Sequence, residues 1–148
     1  MVTAIVPDGP AFVHSPLAAA MPAETFIESA IDAGTRGGVA SLDPDQRLVY
    51  LISEAEVLCD MEGIDTFLRR YWTDWGQECV AAFEAVGASE IAAGLRALGD
   101  GTAGDEALRE RVNALITGRA GYGYEAIRRV IESRLTQRTE GQCHPPNA

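Results

Sequence analysis

From Pro22 to Gln137 the apolar residues recur at three- and four-residue intervals, the spacing that lays one face of an α-helix against a core. No convincing pair of alternating runs appears, so the pattern predicts an all-α fold. The first helix is "PAETFIESAIDAG", with proline at its start, acids in its early turns and Gly34 just past its end. The loop "TRGGVAS" follows. A second helix opens at "DPDQ", where Asp43 as N-cap, Pro44 at the first helical position and Gln46 three residues after the cap form a capping box; it runs to about Asp60. Beyond it come "GIDTFLRRYW", "GQECVAAFEAVG" and "SEIAAGLRALG", the last with Ser89 as N-cap, and then, after the loop "DGTAG", "DEALRERVNALITG" and "YEAIRRVIESRLTQ". The expectation is a compact single-domain bundle of six or seven helices over 22–138. An extended N-terminal arm over 1–21, rich in Pro, Gly and Ala, precedes it, and a disordered tail over 139–148 follows.

Plotted at 100° per residue, the second helix carries two apolar patches. Leu48, Leu51, Ile52, Ala55, Leu58 and Cys59 form one stripe, and Tyr50, Val57 and Met61 form another, so this helix should be packed on two sides. Glu54 falls between Leu58 and Met61. A carboxylate in apolar company has to be paired or protonated, and Arg47, Arg69 and Arg70 are its candidate partners. In the third helix Ile64, Phe67, Leu68, Tyr71 and Trp75 mark a core face, with Trp72 beside it. An ion pair that orients two helices is the simplest reading of Glu54. The alternative is a small-molecule or catalytic pocket built from Glu54, Arg70, Tyr71, Trp72 and Trp75.

Charge changes the picture more than composition does. The 148 residues carry a formal net charge of −10, and residues 43–90 hold eleven acids against Arg47, Arg69 and Arg70. Such a block repels nucleic-acid and membrane phosphates and attracts basic partners over a Debye length of ~8 Å. Direct nucleic-acid binding and membrane association are therefore not expected. The three cysteines, Cys59, Cys79 and Cys143, show no disulfide or zinc spacing, and His14 and His144 have no triad-like company, so no metal, cofactor or catalytic residue is assigned. A reducing cytoplasm fits the free thiols. The run "AFVHSPLAAAM" has no basic residue before it and is broken by His14 and Pro16, which argues against a signal peptide. One loop, "GRAGYGY" (Gly118 to Tyr124), has the glycines and the arginine, Arg119, to cradle an anion.

Between Leu48 and Leu95 the order Glu56-Val57, Gly63-Ile64, Phe67-Leu68 and "AFEAVGA" (Ala82 to Ala88) resembles a bacterial family of small helical domains that includes a DNA-mimic protein. The resemblance implies a helical fold and an acidic face that stands in for DNA phosphates on a basic DNA-binding surface. Duplex DNA carries a charge per ~1.7 Å of axis, whereas acids at i and i+4 of one helix supply one every ~6 Å. Rows from several helices must converge. The candidate acids are Asp45, Glu56, Asp60, Glu62, Asp65, Asp74 and Glu78, with Glu84 and Glu90 further along. The leading expectation is thus a non-enzymatic protein-interaction domain for a basic partner, a DNA-binding protein or a nuclease held by an immunity-type inhibitor. A helical homodimer, with the second copy covering the apolar excess of the Leu48–Met61 helix, is the remaining alternative.

Overall fold

The computed structural model describes residues 21–99 and 105–143. Nearly all of the expected arm, the "AFVHSPLAAAM" run up to Ala20, His14 and His144 lie outside the described residues. Those described form α1 (Ala23–Gly37), a 3₁₀ turn (Val39–Ser41), α2 (Pro44–Met61), α3 (Ile64–Ala85), α4 (Ser89–Gly99), α5 (Glu106–Thr117) and α6 (Tyr124–Cys143), with no strand among them. The fold is all-α.

Helix α2 is the axis of the bundle, packed against α1, α3, α5 and α6. The reason lies in its stripe: Leu48, Leu51, Ile52, Ala55, Leu58 and Cys59 are all buried, and Tyr50 is buried on another side. Phe67, Phe83, Ile91, Leu95, Val112, Ile116 and Ile131 complete the core from the other helices. The second apolar patch of α2 divides, however. Tyr50 lies over α1, while Val57 and Met61 remain 44% and 73% exposed.

The capping box at the start of α2 forms as its sequence dictates: Gln46 N–H donates to Asp43 Oδ1 and Asp43 N–H to Gln46 Oε1, both at 2.9 Å. At the other end the Glu62 and Gly63 amides both return to Leu58 O, and Gly63 takes φ +104°, open to glycine and strained for other residues. The chain therefore turns sharply from α2 into α3. This corner places Glu62 and Asp65 beside the first turns of α5.

Three boundaries differ from the sequence expectation. Gly34 does not end α1, which runs to Gly37; a Cβ at Gly34 would lie 2.3 Å from the Tyr50 ring, so the glycine is there for close packing. "GIDTFLRRYW" and "GQECVAAFEAVG" are one continuous helix, α3, and Gly76 within it makes room for the Trp72 indole. Finally, α6 continues to Cys143, into the segment expected to be a disordered tail.

Candidate functional site

The candidate acids fall into two groups according to what the arginines do. Asp45, only 13% exposed, is held by Arg134 at 3.0 Å and Arg138 at 2.9 Å, which ties α6 to the start of α2. Glu78 takes the Arg47 Nε at 2.7 Å, and that guanidinium also donates to Leu42 O and lies 5.1 Å from the centre of the Trp75 ring. Glu56 accepts from Arg119 at 3.2 Å and from the Tyr122 hydroxyl. The "GRAGYGY" loop does hold an anion, and the anion is this internal carboxylate. Glu84 and Glu90 pair with Arg96 and Arg111, each at 2.9 Å. These carboxylates are largely neutralised within the molecule.

Asp60, Glu62 and Asp74 have no ion-pair partner among the described residues, and all three are exposed. Asp74 stands apart, on a recess of about 850 Å³ beside Trp72. Glu62, in contrast, lines a groove of about 440 Å³ together with Asp65, Glu106 and Glu110. Arg109 is the one cation on its walls, 3.3 Å from Asp65. Asn113, whose buried Oδ1 has no hydrogen-bond partner, lies on the same wall. A second groove, of about 450 Å³, continues past the shared Thr117 to Asp60, Met61, Val57 and the Glu56–Arg119 pair. The end of α2, the start of α3 and the length of α5 thus form an acidic corner. Glu106 and Glu110 were missed by sequence reasoning because they belong to the C-terminal stretch, where arginines balance acids and the local charge gives no signal.

The aromatic set does not gather into one pocket. Tyr71 donates to Glu54 Oε1 at 2.6 Å, so the half-buried carboxylate finds a phenol rather than any of the three arginines. Burial, then the Glu54 hydrogen bond and charge, push the Tyr71 phenol well above its ordinary pKa. Trp72 faces α4, in a notch between Gly76 and Gly99, and the recess it lines contains neither Glu54 nor Trp75. Arg70 is exposed. Among the described residues there is no group of three or more His, Cys, Asp and Glu side chains arranged to hold a metal ion, and no helix is long and apolar enough to cross a membrane.

The acidic corner lies inside a recognisable family segment, because the family model for DMP19-like protein matches residues 40–129. The chain belongs to the DMP19-like family. The match extends the Leu48–Leu95 resemblance in both directions and takes in every residue of the two grooves, Arg119 among them, and also Tyr122, which with Arg119 clamps Glu56. Helix α1 and most of α6 lie outside the DMP19-like segment. No curated protein and no solved structure was found to match the chain.

Proposed function

We propose that this protein is a non-enzymatic interaction domain whose acidic corner occupies a basic, DNA-binding surface of a partner protein in place of DNA. The observation that carries the reading is the convergence of Glu62, Asp65, Glu106 and Glu110 around one groove with a single arginine, while most other acids of α2 and α3 have internal partners. Carboxylates from three helices supply a density of charge that no single helix offers. Membership of a DNA-mimic-type family supports the same reading. The ligand-binding alternative has less to rest on, since Glu54 and Trp72 face different parts of the molecule.

Affinity capture from the source organism at low and moderate salt, with duplex DNA as competitor, tests the proposal. A basic protein should be retained at low salt and released by either added salt or DNA. Charge reversal at Asp60, Glu62 and Glu110 should abolish its capture. Retention of a partner that neither salt nor DNA displaces would rule out a phosphate surrogate.

A further inference from the structure

Val57 and Met61 are i and i+4 on α2, and both line the groove that adjoins the acidic corner, where Arg119 is the one cation among the described residues and is paired with Glu56. At 44% and 73% exposure they leave an apolar patch on a helix whose other large apolar side chains are buried. Asp60 and Glu62, both without an ion-pair partner among the described residues, flank Met61 in sequence. An apolar surface bordered by uncompensated carboxylates has a definite complement. It fits an element that carries apolar side chains among cations.

We propose that Met61 and Val57 form an apolar anchor for a basic helix, the recognition element of the partner, and that Asp60 and Glu62 take the cations beside it. The inference rests on the interaction reading above and adds the partner's chemistry. A duplex offers its readers methyl groups as well as phosphates, because thymine projects a C5-methyl into the major groove and apolar side chains pack on it. Met61 and Val57 present methyls between carboxylates in the same combination. A second copy of this chain is a poorer occupant: in an isologous contact the same patch meets itself, which brings the Asp60 and Glu62 carboxylates of both copies into one interface.

The test uses two synthetic helical peptides of equal positive charge, rich in arginine, one with a leucine stripe on one face and one with serine in its place. Titration calorimetry should show the leucine peptide binding about tenfold more tightly, the scale set by burying one or two apolar side chains. Met61→Ser and Val57→Ser, both at exposed positions, should reduce that preference to less than about twofold, while Tyr124→Ser, an exposed control, should leave it intact. Equal affinity of the two peptides for the unmodified protein would overturn the anchor and leave the acidic reading standing. Binding of neither peptide would overturn both. Concentration-dependent sedimentation abolished by Met61→Ser would assign the patch to self-association and overturn the proposal.

Discussion

Two tyrosine hydroxyls fasten α2 to its neighbours, Tyr71 to Glu54 and Tyr122 to Glu56. Each Tyr→Phe change removes a donor and leaves a half-buried carboxylate short of a partner, at a cost of about 1 kcal/mol. Urea unfolding should show a lower midpoint for both variants with no change in slope; an unchanged midpoint would mean the bond contributes nothing net. The same burial governs the alkaline limit. Burial pushes the Cys59 and Cys79 thiols from an ordinary 9.0 up to about 12, and burial with the adjacent carboxylates raises both phenols. In the unfolded chain the thiols lose their protons near pH 9.0 while the folded protein keeps them, so their contribution is complete below that pH and is lost as pH rises toward about 12. Stability followed by circular dichroism should therefore decline above pH 9.0, and the double variant Cys59→Ala, Cys79→Ala should show a shallower decline from a lower starting value. That Glu54 needs a buried partner was legible from its apolar neighbours. The choice of Tyr71 over three arginines was not, because it depends on the register of α3 against α2.

At the level of helices, the Trp72 indole is held between glycines from two elements. A Cβ at Gly99 would fall 1.9 Å from Trp72 Cζ2, whereas one at Gly76 would meet the ring at 2.9 Å. Alanine favours a helix over glycine by about 1 kcal/mol, and overpacking costs typically about 1–3 kcal/mol. Gly99→Ala should accordingly be strongly destabilising, and Gly76→Ala only mildly so, when their denaturant midpoints are compared; equal effects would show that the notch is not rigid. Capping signals made the start of α2 readable, since both hydrogen bonds of the box are local. Glycine was ambiguous for the opposite reason. Gly34 and Gly76 carry the same letter as a helix stop, yet their role is set by Tyr50 and by the Trp72 ring, and only the folded packing distinguishes the two.

Across the whole molecule, the acidic block of residues 43–90 was visible in the sequence, but its division into neutralised and uncompensated acids was not. Asp45 meets Arg134 across 89 residues of sequence and Glu56 meets Arg119 across 63, so no local window contains both partners. What remains is a corner where like charges stand together, and that arrangement has a thermodynamic consequence. Glu62 lies at the C-terminal cap of α2, where a negative charge is unfavourable to the helix dipole, and Glu110 faces the same groove. Glu106 and Asp65, in first turns, gain from the dipole and are less informative. If the corner is kept for binding, the double variant Glu62→Gln, Glu110→Gln should melt at a higher temperature than the unmodified protein in low salt. The gap should close near 1 M salt, where the Debye length falls to about 3 Å. The same variant should bind a basic partner more weakly and with a smaller salt dependence. A lower melting temperature at low salt would mean that these carboxylates support the fold, and the acidic corner would then be a structural feature rather than a surface maintained for a partner.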